Sequence, residues 1–288
     1  MKNHESSNSN CTDNIFYTTN FNNQGIRQKS MKGELANLSY TFNNMADTIL
    51  KNIDELKEVD SLRRELIANV SHDLRSPLAV IHGYIETMLM KEDKLSSAER
   101  QKYLQIILDS SERLNNLVSD LFELSKLEAR QIQLKKEPFF INELMIDAAQ
   151  QFNVLADKKH IEIKSDISTT LPMVKADISL TERVIQNLLS NAIQYTPEKG
   201  NIVLNVKQVK DNIEVNIENT GKGISAEELP NIFEKYYKVS KDHSIVKGTG
   251  LGLAIVKKIL DIQNIPINVK STPSKFTSFS FIVPVFQG

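Results

Sequence analysis

The sequence predicts a multidomain chain. An all-α part, one helical hairpin per chain, comes first, and an α+β two-layer sandwich follows. Three observations carry this. A stripe of apolar residues recurs at three- and four-residue steps for more than fifty positions from Glu34 onward. A second amphipathic stretch follows a short polar break. After about residue 140 the pattern changes to short alternating strands mixed with shorter helices.

The first stripe runs through Leu35, Leu38, Phe42, Met45, Ile49, Ile53 and Leu56, the spacing of a coiled-coil seam. It continues through Leu62, Leu66, Ile67 and Val70, and resumes beyond Pro77 with Leu78, Ile81, Ile85 and Met88. The break "KEDKLSSAER" offers Ser96 or Ser97 as a helix cap. The next helix carries Leu104, Ile107, Leu108, Leu114, Leu117, Leu121, Leu124 and Leu127. One such hairpin leaves half its apolar stripe bare, and two close a four-helix bundle, so a homodimer is expected. "KKEPFF" at 135–140 marks the boundary, with Pro138 ending the helical period. Strands are expected from 161, 202, 213, 267 and 277, and helices over 141–157, 177–195 and 250–262.

Composition narrows the partners. The 288 residues include 35 Lys and Arg against 36 Asp and Glu, a balance that gives no electrostatic case for nucleic acid or an anionic membrane. A single cysteine, Cys11, excludes an internal disulfide framework and fits a reducing compartment. The first thirty residues, rich in Asn and Ser, lack the apolar core of a signal peptide, and no apolar run is long enough to span a membrane. The expectation is a cytoplasmic chain without membrane contact of its own, whose parent protein is open to membrane anchoring. Residues 1–33 read as a disordered or poorly packed tail.

Two features point to chemistry. "NVSHDLRSPL" at 69–78 sets His72 beside Asp73, with Pro77 five residues beyond the histidine. Pro77 has no N–H for the carbonyl of Asp73, a defect that bends and loosens a helix. In "TERVIQNLLSNAIQYTPEKG", Asn187 and Asn191 lie four apart, opposite an apolar face made by Val184, Ile185, Leu188, Leu189, Ala192 and Ile193. Two stacked amide oxygens suit a hard cation such as Mg²⁺, or are simply solvent-facing. "NTGKGI" at 219–224 follows a strand, and "GTGLGL" at 248–253 opens a helix, where backbone and helix N-terminus suit a phosphate.

In this order, the asparagine pair and the two glycine loops resemble the ATP-binding domain shared by histidine kinases, gyrase, Hsp90 and MutL, the GHKL type. "SHDLRSPL" resembles the phosphoacceptor box of the sensor histidine kinases, and 34–46 resembles the last helix of a HAMP relay domain. The implied division is a tail at 1–33, a HAMP-like helix and coiled-coil linker at 34–60, a dimerisation and phosphoacceptor domain at 61–133, and an ATP-binding domain at 137–288. The resemblance implies autophosphorylation of His72 by Mg-ATP, with Asp73 accepting or orienting the other ring proton. Transfer to an aspartate of a response regulator follows, and Ser76 is tied to removal of phosphate from that regulator. His82, with no acidic residue next to it, is a poor second acceptor.

Carried over residue by residue, ATP binding falls to Asn187, Asn191, Gln194, Tyr195, Asn219, Gly221, Gly223, Ile224, Phe233, Lys238, Lys247, Gly248, Thr249, Gly250, Leu251, Gly252 and Leu253, with Asn187 and Asn191 serving the metal. Asn219 stands where the family usually has the Asp that reads the adenine amino group, and Gln194 where it commonly has Lys. Lys238 and Lys247 are candidates to restore that charge, and 239–247 resembles the family's lid. Phe233 reads equally as core packing. "QNI" at 263–265 and "SKFTS" at 274–278 replace family glycines at the far end of the domain. The alternative is a nucleotide-holding scaffold that binds a partner without phosphotransfer.

Overall fold

The computed structural model describes residues 34–91, 94–129, 131–168, 170–238 and 249–287. The chain divides into two units, Met1–Arg64 and Glu65–Gly288. In the first, everything described is helix: the beginning of α1 (Glu34–Met90), with Leu38, Phe42, Met45 and Ile49 exposed. No helix among the described residues is long and apolar enough to cross a membrane.

In the second unit α1 runs through Pro77 as one continuous helix, and Pro77 is buried. A short turn leads to α2 (Ser97–Glu128). The side chain of Ser96 accepts from the N–H of Glu99, and Glu99 accepts from the N–H of Ser96, a reciprocal capping box that fixes where α2 begins. Tyr84 of α1 packs on Tyr103 of α2 with ring centroids 5.1 Å apart. Much of the apolar stripe is bare on a single chain: Ile67, Leu78, Ile85 and Leu89 on α1, and Leu104, Leu108 and Phe122 on α2.

Pro138 does not end the helical hairpin. The helix stops ten residues earlier, at Glu128, and Pro138 lies inside β1 (Lys136–Phe139). Then come α3 (Ile141–Asp157), β2 (Glu162–Ile167), β3 (Val174–Asp177), α4 (Ile178–Tyr195), β4 (Asn201–Val209), β5 (Asn212–Thr220), α5 (Gly252–Gln263), β6 (Ile267–Thr272) and β7 (Phe276–Pro284). Five strands form one sheet in the order β2-β4-β5-β7-β6, parallel between β2 and β4 and antiparallel elsewhere. The short β1 and β3 make a separate antiparallel pair that the sequence did not suggest.

Strand alternation puts Ile202, Leu204, Val206, Ile213, Val215, Ile217, Phe279, Phe281 and Val283 on one buried face. Helices α3, α4 and α5 cover it, which completes the two layers. Asp177 caps α4 by accepting from the N–H of Leu180, and its own N–H donates to the buried amide oxygen of Gln263 at 2.8 Å. The C-terminus of α4 is met by Lys159, whose ammonium donates to the carbonyl of Ile193 at 2.8 Å. In "QNI", Asn264 adopts φ 61° at the C-cap of α5, the left-handed position a glycine usually fills.

Helix α2 also joins this layer. Leu117, Leu124 and Leu127 are buried in the same core. Beside them Arg183 of α4 donates to Asp120 at 2.7 Å and to Glu123 at 2.8 Å, with all three side chains less than a third exposed. Burial pushes the Asp120 carboxyl above its ordinary value of 3.8, while Arg183 and a hydroxyl from Thr249 pull it partly back.

Two outcomes are expected. Leu188→Ala, which empties a side chain 1% exposed, lowers stability by about 2–5 kcal/mol in urea titration. For Asp120 the folded state holds its proton more tightly than the unfolded chain. Stability therefore declines as pH rises from the ordinary carboxyl midpoint, near 3.8, through the elevated one. Asp120→Asn flattens that part of the profile, and urea midpoints at a series of pH values check it.

Candidate active site

The helical repeat of α4 turns one side into the core and leaves Asn187, Ser190, Asn191 and Gln194 along the wall of a cleft of about 570 Å³. That volume falls within the range of small-molecule sites. The amide nitrogen of Asn187 donates to the carbonyl of Arg183 at 3.0 Å, which leaves its oxygen as a free acceptor. Facing it is Gly252, where a Cβ would lie 3.3 Å from that oxygen. A larger residue at 252 would crowd the asparagine.

The glycine loop forms the opposite wall with Thr249, Gly250, Gly252 and Leu253. Gly250 has φ 72°, and a Cβ there would stand 2.8 Å from the α-carbon of Tyr236. The backbone N–H of Tyr236 donates to the carbonyl of Gly250 at 2.9 Å. Tyr236 itself has φ 63°, so two left-handed residues lock the two segments together. Because α5 begins at Gly252, its N-terminal backbone, the positive end of the helix dipole, opens at this wall.

A third wall comes from α2. Asp109, Arg113, Asn116 and Asp120 line the cleft, and Thr249 donates to Asp120 at 3.3 Å. None of these α2 residues is legible as part of the site in the sequence. Their polar positions beside a leucine stripe read as an ordinary solvated helix face, and about seventy residues separate them from the asparagines.

Lys238 lines the same cleft, and its Nζ lies 3.7 Å from Oδ2 of Asp73 on α1. The other carboxylate oxygen of Asp73 is 3.2 Å from Nδ1 of His72, whose side chain is 80% exposed. A carboxylate only accepts, so in the neutral ring the proton is assigned to Nδ1 and Nε2 keeps its lone pair. Adjacent residues on a helix point about 100° apart, and here the side chains still meet. Burial, and then the charge of Asp73, push the Tyr236 phenol up to about 12. Ser76 is exposed one turn beyond His72. His82 does have an acidic neighbour, Glu86 one turn on at 3.5 Å, but that pair is exposed on both sides.

Of the residues proposed from sequence for ATP, the cleft gathers Asn187, Asn191, Gln194, Tyr195, Lys238, Thr249, Gly250, Gly252 and Leu253. The rest of those described stand off its walls. Leu251 is fully buried in the core. Phe233 packs edge-on against Phe279 at 6.4 Å, and Ile224 packs against the same core. Asn219 is buried at the end of β5, with its amide nitrogen on the carbonyl of Thr220 and its oxygen still available. Gly221 lets that strand end approach α4, since a Cβ would meet the carbonyl oxygen of Tyr195 at 2.6 Å. Gly223, at φ 65°, is pressed against Thr272 and Pro273. The "SKFTS" turn is therefore not at the far end of the domain. The carbonyl of Lys275 accepts from Gly221, and the N–H of Ser274 donates to the carbonyl of Lys222. Gly248 and the whole lid-like segment 239–247, Lys247 included, lie outside the described residues.

Comparison with known proteins matches residues 62–130 to the His Kinase A (phospho-acceptor) domain. Residues 176–287 match the histidine kinase-, DNA gyrase B- and HSP90-like ATPase family. The adaptive-response sensory kinase SasA of Microcystis aeruginosa is 33% identical over 81% of this chain and 62% of its own length. The phosphate regulon sensor protein PhoR of Pseudomonas aeruginosa is 29% identical over 81% of this chain and 52% of its own. This chain thus spans less than two thirds of the curated relatives it matches. Among solved structures, the histidine kinase AdeS of Acinetobacter baumannii superposes with a TM-score of 0.61 at 25% identity, covering 75% of this chain and 98% of that one. Histidine kinase ThkA, in complex with response regulator protein TrrA, gives 0.62 at 27% identity over 77% of this chain and 61% of that one. With a phospho-acceptor domain over the helical hairpin followed by an ATPase domain over the sheet, the chain belongs to the two-component sensor histidine kinases.

Proposed function

We infer that this chain is the kinase core of a sensor. It binds Mg-ATP in the cleft, transfers the γ-phosphoryl group to His72, and passes it to an aspartate on a response-regulator receiver domain. The observation that carries this reading is Lys238. It lines the cleft with Asn187 and Asn191, and it touches the carboxylate that holds the ring of His72.

The residues perform the transfer as follows. Asp73 keeps the ring proton on Nδ1, so Nε2 presents its lone pair to the γ-phosphorus. A bond forms between Nε2 and phosphorus while the bond to the bridging oxygen breaks, and ADP leaves with that electron pair. The positive charge that develops on the ring is met by Asp73. Asn187 fits a magnesium ion, since its oxygen is unspent and Gly252 leaves room beside it, and Asn191 lies one turn on. The ion, when bound, draws off charge from the phosphates. The bare apolar faces of α1 and α2 support a homodimer through the hairpins, in keeping with a phosphoacceptor domain that implies dimerisation. Ser76 is exposed one turn beyond His72, and its hydroxyl would orient a water toward a phosphoaspartate in a phosphatase activity on the regulator. The scaffold alternative is not favoured, because the relatives are sensor kinases and His72, Asp73, Asn187 and Asn191 are all in place.

Incubation with γ-labelled ATP and Mg²⁺ is expected to give an acid-labile, base-stable label that His72→Gln abolishes. An unlabelled wild-type protein that nonetheless binds ATP would remove the kinase reading. Asn187→Ala is expected to reduce labelling by about 10²-fold or more while the fold, followed by circular dichroism, stays intact. The resemblance assigns the adenine amino group to Asn219, which stands off the cleft walls but has its oxygen unspent, an acceptor without charge. Asn219→Asp should therefore tighten ATP binding and sharpen discrimination against GTP in a competition assay.

A further inference from the structure

The ammonium of Lys238 belongs to two places at once. It lines the nucleotide cleft beside the glycine loop, and it sits 3.7 Å from Oδ2 of Asp73. Oδ1 of that carboxylate faces Nδ1 of His72 at 3.2 Å. A carboxylate engaged at both oxygens cannot rotate without giving up one partner. The two charged side chains are 15% and 20% exposed, so their attraction is less screened than that of a surface pair.

The segment that carries Lys238 is fixed at its other end. Tyr236, two residues earlier, donates its backbone N–H to Gly250, and Gly250 has no space for a side chain against it. A single residue, Tyr237, therefore separates a glycine-loop hydrogen bond from the cation on Asp73. The cleft, the cation, the carboxylate and the histidine all lie in the one unit that begins at Glu65.

The geometry points to Lys238 as a positioning residue for phosphoryl transfer: from the rim of the cleft it holds Asp73 so that His72 of the same chain presents Nε2 to the nucleotide. This role goes beyond holding the triphosphate, and it rests on the reading of His72 as acceptor. Lys238 exchanges no proton and makes no covalent bond. It fixes the carboxylate that fixes the ring, and it makes transfer a reaction within one chain.

The first test is an ATP titration of autophosphorylation for the wild type, Lys238→Ala, Lys238→Arg, Asp73→Asn and the double variant Lys238→Ala/Asp73→Asn. Lys238→Ala is expected to lower the rate at saturating ATP by about tenfold or more, since small misplacements of a reacting group are costly, with a smaller change in KM. Lys238→Arg recovers most of the rate. In the Asp73→Asn background Lys238→Ala adds little, because the partner is already gone. A raised KM at an unchanged maximal rate, or additive losses in the double variant, overturns the role.

The second test does not depend on activity. Asp73→Cys/Lys238→Cys in a Cys11→Ser background is treated with a short bismaleimide. A cross-link within one chain, identified by mass spectrometry of the monomer band, is expected. A cross-link between chains, or none in folded protein, overturns the inference. Should ATP bind to the wild type without labelling it, the kinase reading falls and the role of Lys238 with it, and the cross-link still reports whether the contact is there.

Discussion

Helix α4 has to satisfy two demands with one period of 3.6 residues. Its inner side supplies Val184, Ile185, Leu188 and Leu189 to the core beneath it, each at most 1% exposed. Its outer side supplies Asn187, Asn191 and Gln194 to the cleft. The two sets interleave in sequence, so a slip of one position would bury an amide and expose a leucine. Much of the surrounding structure holds this register. Asp177 starts the helix, buried Gln263 holds the N–H of Asp177, Lys159 meets the last carbonyls, and the leucines key into the sheet.

The site is composite, and its parts differ in how firmly they are held. The asparagines stand on a helix anchored along its length. The glycine loop is set by backbone fit against Tyr236, where two left-handed residues and one hydrogen bond leave little freedom. His72, by contrast, is on an exposed helix face with one hydrogen-bond partner among the described contacts. The acceptor role proposed for His72, meeting first a nucleotide and then a separate protein domain, calls for such openness, and the ordering then falls to its neighbour Asp73.

How legible this was depends on the range of the interaction. Strands β2 and β4–β7 and helices α3–α5 follow from alternation and helical period, and Ser96 with Glu99 follows from capping chemistry. Both are local signals. β1 and β3 are four residues each, polar at most exposed positions, and exist because they pair with one another across some forty residues. Asn187, Asn191 and the glycine loop were readable because short motifs encode local geometry. The α2 wall was not, since a carboxylate on a solvated face and one facing a cleft look the same in sequence. Asn264 shows a subtler loss: the family's glycine is absent there, yet asparagine performs its backbone task.

Asp120 has a consequence for how the parts communicate. It is a half-buried anion on the wall of a cleft made for a polyanion, and it is also a point where α2 is fastened to Arg183 and Thr249. A triphosphate entering that space meets like charge, and it competes for the hydroxyl of Thr249. Where nucleotide and α2 compete for the hydroxyl of Thr249, thermodynamic reciprocity makes the coupling mutual: each weakens the hold of the other by the same factor.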